Sequence, residues 1–198
     1  MRNLDSQIRL QVSASACILF ALMLLVLPLR WLLAAVLAAA VHEACHGVAV
    51  RCFGGRICAV QIAAGGARME ATPLNHGAEV ICSLAGPVGG LLLLIFAKWI
   101  PRVALCGAFQ SLWNLLPLYP LDGGNALRNL TKLLLPRDKA DLLCRAIEFL
   151  CVAALVILGF YGSVVLRLGL IPLLPGVISL MSTKYGKTPC KRGLKRVQ

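Results

Sequence analysis

Charged residues are scarce in this sequence, since Asp, Glu, Lys and Arg together make up only 14% of its 198 residues. Soluble domains usually carry about 25% of such residues. Apolar residues reach 59%, and the mean hydropathy is +0.82. This composition excludes an ordinary soluble protein and indicates a polytopic membrane protein. The length suits a single domain.

Paired cysteines of the C-x-x-C type are absent, although nine cysteines occur, mostly within apolar segments. They are typical of small, reduced, buried side chains rather than of a disulfide framework. Acidic residues are also few, with eight against twenty lysines and arginines, which gives a net charge of +12. Because aromatic residues are rare and the basic residues lie between apolar blocks, this excess predicts loops and a tail that face anionic lipid, not nucleic acid.

Histidine is rarer still, and two of the three histidines lie in the segment VHEACHG at residues 41–47. On a helix, His42 and His46 project from nearly the same side with about 6 Å of axial rise between them, which suits two imidazoles on one metal ion. Glu43 lies roughly 100° round the helix from His42. This H-E-x-x-H pattern supplies two zinc ligands and a carboxylate that can accept a proton from water. The alternative is a chance pentapeptide on a core helix.

The setting of this pattern argues against chance. The segment from Trp31 to Val41 carries no charged residue. A carboxylate beside two imidazoles in such a segment is costly unless something binds it, so an ionisable cluster there is a functional-site hypothesis by default. Cys45 lies inside the pattern, and its position on the helix favours a packing residue over a stray ligand.

Hydropathy predicts an all-α polytopic fold with about six transmembrane helices. The predicted spans are Val12–Leu29, Trp31–Val50, Asn75–Trp99, Pro101–Leu118, Leu142–Tyr161 and Gly162–Met181. A signal peptide is the alternative for the first span, but its apolar region is too long. Residues 1–182 then form one transmembrane domain, and residues 183–198 form a basic cytoplasmic tail.

The positive-inside rule sets the predicted orientation. With the N-terminus inside, only Arg30, Lys98, Arg102 and Arg167 remain outside among the lysines and arginines assigned to loops and tail. The Arg51 end of the second span then faces the cytoplasm. Between the spans, Ala126–Leu135 has the spacing of an amphipathic helix on the membrane surface, and Arg145 and Glu148 are three residues apart and able to pair.

The stretch from Cys52 to Pro73 is the least helical part of the chain. Within it, residues Arg56 to Ala71 predict a short β-hairpin or re-entrant segment between the second and third spans. Gly65 and Gly66 supply its turn. Non-helical backbone at membrane depth persists only against protein or water, so the hairpin is expected to line a cavity. Its free edge offers an extended substrate backbone a partner for strand addition. A plain interhelical loop is the alternative.

Small residues mark the middle of the third span, where Ala85-Gly86-Pro87 is followed by Gly89-Gly90. They permit close approach of a neighbouring helix, and Pro87 is expected to kink or break the span. Packing alone is enough to explain this stretch.

A second informative stretch runs from Asn114 to Gly124 and reads NLLPLYPLDGG. Its prolines and glycines end any helix, so Asp122 lies on broken backbone at the end of an apolar segment and on the same predicted side as Arg51. An aspartate so placed either caps the next helix or supplies a third metal ligand. Two histidines and a carboxylate, with a fourth position left for water, are the ligands of a catalytic zinc site.

HEACH, AGPVGG and NLLPLYPLDGG, in this order along a polytopic chain, resemble the site-2 protease family of intramembrane zinc metalloproteases. The likeness is greatest to the branch with the stage IV sporulation protease of the FB type, which cleaves a membrane-tethered sigma-factor precursor. The resemblance implies that His42, His46 and Asp122 bind zinc and that Glu43 is the catalytic base. It also implies that Asn114 helps to hold the substrate or the developing oxyanion.

Two positions depart from the family's pattern. Many relatives have an asparagine where this chain has Gly89 or Gly90, and an arginine after Asp-Gly-Gly where this chain has Asn125. Because neither position binds the metal, the departures bear on substrate handling more than on the chemistry.

The sequence therefore predicts a zinc metalloendopeptidase, a multi-pass protein of a bacterial membrane, that cleaves a membrane-associated protein near the cytoplasmic face. Its expected cofactor is Zn²⁺, and its expected partners are the lipid bilayer and a membrane-tethered substrate, with Asn114, Gly65 and Gly66 contacting that substrate. The resemblance adds a sigma-factor precursor, the mother-cell or forespore membrane and an inhibitory membrane partner as narrower expectations.

Two other classes of function stay open. A metal transporter is expected to carry further ligands along a path through several spans, yet beyond the motif only His76 and Glu79 lie near one end of a span. A catalytically inactive membrane scaffold is expected to have lost a metal ligand or the base, and this chain retains all four residues.

Overall fold

The computed structural model describes residues 9–63 and 66–164. In this part of the chain the fold is mostly helical, with six α-helices and a small sheet of three strands. In chain order the elements are β1 (Arg9–Val12), α1 (Ala14–Val26), α2 (Leu29–Cys52), β2 (Ile57–Ala63), β3 (Gly66–Ala71), α3 (His76–Leu92) with a 3₁₀ turn (Leu93–Phe96), α4 (Pro101–Asn114), α5 (Asp122–Leu134) and α6 (Arg137–Val164).

Three helical segments of the described residues are long and apolar enough to cross a membrane, namely Leu29–Cys52, His76–Phe96 and Arg137–Gly162. Helix α1 is apolar but has only 13 residues, and α4 has 14. At 1.5 Å per residue each spans about 20 Å, which is short of the roughly 30 Å hydrocarbon core. Because three of its helices can cross a bilayer, the chain is a membrane protein. The predicted count of six spans is not confirmed, because most of the sixth span and the basic tail lie outside the described residues.

Local sequence signals explain where the helices begin. Ser13 caps α1, since its side chain accepts a hydrogen bond from the backbone nitrogen of Ala16. Asn75 caps α3 in the same way, and Pro101 is the first residue of α4. Helix α3 continues through Pro87, whose side chain is fully buried, so the predicted break of this span does not occur.

The predicted hairpin is present, because β2 and β3 pair antiparallel with Val60 opposite Met69. Strand β1 was not predicted, since residues 9–12 were assigned to a polar lead and to the start of the first span. These residues instead pair in parallel with β2. The strand order is β1-β2-β3, so β2 is the central strand and β3 forms one edge of the sheet.

Helices α2, α3 and α4 pack around a small apolar core formed by Ala34, Ala38, Leu93, Val103 and Ala104. Glycines bring α3 and α4 close together. A Cβ atom at Gly90 would collide with the Ser111 hydroxyl and lie 3.0 Å from the Gly107 carbonyl oxygen. The small residues of α3 therefore serve close helix packing, as the sequence predicts.

Helix α5 contacts both α3 and α6, and it begins at Asp122, four residues before the predicted start at Ala126. This packing changes one predicted ion pair. Glu148 lies 2.8 Å from Arg128 of α5 and not beside Arg145, which is exposed on α6. The pairing with Arg145 was wrong because the contact between α5 and α6 brings a guanidinium to Glu148 from another helix.

Candidate metal centre

Helix α2 carries His42 and His46 one turn apart, and both imidazoles turn toward α3 and α5. His42 is only 2% exposed. The Nε2 atoms of the two rings lie 3.2 Å apart. The spacing of four residues therefore brings the two histidines to one point, as helical periodicity predicts.

Asp122 reaches the same point from the first turn of α5. Its Oδ2 atom lies 3.0 Å from Nε2 of His42 and 3.2 Å from Nε2 of His46. Asp122 is the first residue of the helix and makes no side-chain cap. Burial raises the pKa of its carboxyl group, but the hydrogen bonds with His42 and His46 outweigh burial and hold that pKa below its ordinary value. The carboxylate is therefore ionised, as a metal ligand must be.

The three side chains fit a metal ion. Their atoms lie 3.0–3.2 Å from one another, close to the spacing of about 3.3 Å expected for ligands about 2.0–2.1 Å from one tetrahedral ion. Nδ1 of His46 donates to the carbonyl oxygen of Cys82 at 2.7 Å, which leaves Nε2 of this ring turned into the cluster. Two imidazole nitrogens and one carboxylate oxygen suit zinc and leave one coordination position open.

Glycine on α3 makes room for the two imidazoles. A Cβ atom at Gly86 would overlap the ring of His46 and lie 2.7 Å from Nε2 of His42. Sequence reasoning assigned Gly86 to helix packing and missed its contact with the ligands. The signal was the glycine in Ala-Gly-Pro, but only the register of α2 against α3 reveals what it faces.

The two glycines after Asp122 have a related role. A Cβ at Gly123 would collide with the Leu115 carbonyl, and one at Gly124 would lie 2.6 Å from the backbone nitrogen of Tyr119. Only glycine lets the first turn of α5 lie directly on the backbone of the preceding loop. That contact places the Asp122 carboxylate beside α2.

A cavity of about 360 Å³ opens beside the three ligands. Helices α2, α3 and α5 line it together with the hairpin and the loop before α5. The lining residues are Glu43, His46, Val50, Gln61, Ala67, Met69, Glu70, Ala71, Cys82, Ser83, Tyr119, Pro120, Asp122 and Asn125. The hairpin therefore lines a cavity at the candidate site, as predicted for non-helical backbone among apolar helices.

Glu43 lies in this cavity, but its carboxylate is not among the atoms that converge on the metal position. It is half-buried and next to His42 in sequence. This arrangement leaves Glu43 available for proton transfer beside the metal position.

The structure does not bring every predicted site residue to the cavity. Nδ2 of Asn114 donates to the Gln110 carbonyl at 3.1 Å, and Asn114 does not line the cavity. Gly66 begins β3, and Gly65 lies outside the described residues. The substrate contacts of these three residues stay predictions.

The remaining candidate ligands lie elsewhere. Sγ of Cys45 packs against Gly89, where a Cβ atom would overlap it. His76 lies 3.0 Å from Asn129 and 3.9 Å from Glu79, away from the cavity. Across residues 9–63 and 66–164, the cluster of His42, His46 and Asp122 is the one group of three side chains placed to hold a metal ion.

Comparisons with known proteins bear on the fold. No protein-family model matches the sequence, and no curated protein matches it. Among solved structures, the chain is similar to a Site-2 Protease from Methanocaldococcus jannaschii, with a TM-score of 0.62 and 16% sequence identity over 88% of each chain. At this identity the likeness establishes a shared fold across most of both chains.

Proposed function

We propose that this protein is an intramembrane zinc metalloendopeptidase that cleaves a membrane-tethered protein. One observation carries the proposal. His42, His46 and Asp122 converge within 3.0–3.2 Å, with Glu43 beside them, at a cavity among apolar helices. Ligands of this kind with an open position define a catalytic zinc site, and the neighbouring carboxylate is the base that peptide hydrolysis requires.

The residues of the site divide the chemistry between them. His42, His46 and Asp122 would hold zinc, which when bound supplies a Lewis acid that polarises the scissile carbonyl. Glu43 accepts a proton from the attacking water and delivers it to the leaving amine. The hydrogen bond from His46 to Cys82 and the tight fit at Gly86 hold the imidazoles in place, which limits reorganisation during the reaction.

Strand β3 is the element best placed to receive the substrate. Its residues Ala67, Met69 and Glu70 line the cavity, and β3 forms an edge of the sheet. A transmembrane helix is a poor substrate because its amides are already hydrogen-bonded. We infer that the substrate unwinds and adds to β3 as a strand, which satisfies its backbone while it lies at the site.

The narrower parts of the proposal rest on sequence. Multi-pass insertion with the site near the cytoplasmic face is supported by the positive-inside rule and the apolar helices. A sigma-factor precursor as substrate, an inhibitory membrane partner and a location in the mother-cell or forespore membrane rest on the sequence resemblance alone. An inactive scaffold and a metal transporter are the alternatives that the following experiment separates.

The test compares wild-type protein with Glu43→Gln and with the matched control Glu79→Gln, which changes a carboxylate on α3 away from the cavity. Each is co-expressed with single-span tethered proteins, a tethered sigma-factor precursor among them, and assayed for cleavage and bound zinc. Glu43→Gln is expected to lose about 10²- to 10⁴-fold in cleavage rate while keeping zinc, and Glu79→Gln is expected to cleave normally.

Other outcomes point to the alternatives. Zinc bound without cleavage of any substrate by the wild type supports a scaffold. Uptake of zinc into vesicles that carry the protein supports a transporter. Equal cleavage by wild type and Glu43→Gln would contradict the role assigned to Glu43.

A further inference from the structure

Tyr119 lines the cavity in the loop that joins α4 to α5, three residues before Asp122. The sequence suggested no role for it. Its ring is in contact with Arg128 of α5, whose Cζ atom lies 4.1 Å from the ring centroid. A guanidinium at this distance from an aromatic face is held by cation–π attraction. The cavity wall formed by Tyr119 therefore has a charged side chain packed against it.

Arg128 is also held by a hydrogen-bonded ion pair with a residue of α6. Its Nη2 atom donates to Oε1 of Glu148 at 2.8 Å, and its Nε atom donates to the same oxygen at 3.3 Å. Glu148 lies on the apolar helix α6, and its side chain is only 13% exposed. A carboxylate so shielded is costly without a partner, and Arg128 is its ion-pair partner within the described residues.

Arginine suits this position better than lysine does. Its planar guanidinium can bond Glu148 through its edge while one face lies on the Tyr119 ring. The ammonium group of a lysine is a compact charge on a flexible side chain, and it cannot bond Glu148 and cover the Tyr119 ring equally well at the same time. Two directional contacts, one from Glu148 to Arg128 and one from Arg128 to Tyr119, therefore connect α6 to the cavity.

The backbone of the loop is held by other contacts. Nδ2 of Asn125 donates to the Pro120 carbonyl at 3.2 Å, and Gly124 lies directly on the backbone at Leu118 and Tyr119. These contacts do not involve Arg128. Loss of Arg128 is therefore expected to free the Tyr119 ring while the backbone and Asp122 remain in place.

We propose that Arg128, held by Glu148, is a positioning residue that fixes the Tyr119 ring as a wall of the substrate cavity. The inference rests on the proposed function. Because Tyr119 lines the cavity and does not belong to the metal cluster, the position of its ring should affect substrate affinity and leave the chemical step nearly unchanged.

The first experiment measures cleavage of a fluorogenic transmembrane peptide by the zinc-loaded protein in detergent. Arg128→Gln and Tyr119→Ala are each expected to raise KM about three- to tenfold with kcat within about twofold. Arg128→Lys should give a smaller rise, because it keeps the charge opposite Glu148. The matched control Arg145→Gln, which changes an exposed arginine of α6, should leave both constants unchanged.

The double variant Tyr119→Ala/Arg128→Gln distinguishes positioning from a general structural effect. If Arg128 acts through the ring, the double variant should have the KM of Tyr119→Ala alone. Additive increases in KM would overturn the proposal. So would a fall in kcat at unchanged KM, because that result indicates fewer folded molecules and no change in the cavity.

The second experiment does not depend on activity. The chain has three tyrosines, so 3-fluorotyrosine gives a simple fluorine NMR spectrum in which Tyr119→Phe identifies the signal of residue 119. Arg128→Gln and Glu148→Gln should both shift and narrow this signal, and Arg145→Gln should not. An unchanged signal would overturn the positioning role. Absence of cleavage by the wild type would instead contradict the proposed function.

Discussion

The two halves of α2 are packed by opposite means. In its first half, Ala34 and Ala38 have small side chains, and the larger side chains of Leu93 and Val103 pack in the space beside them. Near its end, the imidazoles of His42 and His46 fill space that Gly86 of α3 leaves open. Ala34 and Ala38 thus accept side chains from their neighbours, whereas His42 and His46 project their side chains toward α3.

This difference assigns the two halves separate tasks. Ala34 and Ala38 of the first half contribute apolar packing, whereas His42 and His46 of the second half place polar atoms at the metal position. Substitutions in the second half should therefore impair the metal site and spare the fold. Substitutions in the first half should do the reverse.

The largest effect is expected from Gly86→Ala. The new methyl group would overlap His46 and crowd His42, so zinc affinity should fall by about 100-fold or more and cleavage should be lost with it. The matched control is Gly77→Ala on the same helix, where a Cβ atom meets only Asn75 at 3.6 Å. Zinc binding by competition with a chelator, together with circular dichroism, makes the comparison. Equal zinc affinity in the two variants would show that α3 can move away from the imidazoles.

A smaller effect is expected from Asp122→Asn, which keeps the size of the side chain and removes its charge. Zinc affinity should fall by about 10- to 100-fold, because a neutral amide oxygen is a weaker ligand than a carboxylate. Asp141→Asn, at an exposed position on α6, is the control and should bind zinc as the wild type does. Unaltered affinity in Asp122→Asn, measured by the same chelator competition, would exclude Asp122 from the metal site.

The smallest effect on the site is expected from Ala38→Leu in the first half of α2. Ala38 is fully buried, so overpacking should destabilise the fold by about 1–3 kcal/mol. Ala40→Leu, at an exposed position two residues along, should change stability by less than about 0.5 kcal/mol. Thermal unfolding in detergent measures the difference, and zinc content of the folded fraction should match the wild type. Loss of zinc without loss of stability in Ala38→Leu would show that the two halves are not separate.

Features that depend on neighbours in sequence were open to prediction. The one-turn spacing of His42 and His46 follows from helical periodicity, and the hairpin follows from an extended run on each side of a glycine turn. Strand β1 escaped prediction because a four-residue strand carries little signal of its own. It exists by pairing with β2, whose partner residues lie fifty positions further along the chain.

The sequence by itself determined the apolar helices, the H-E-x-x-H turn and the acidic candidate at position 122, because composition and periodicity are local properties. Only the tertiary structure decided that Asp122 meets two imidazoles about eighty residues away and that Glu148 pairs with Arg128 in place of Arg145. It also decided that Tyr119 borders the cavity. The physical reason is that these contacts join segments far apart in sequence. At the metal position, glycines of α3 and α5 that pack directly on other atoms set how closely those segments approach.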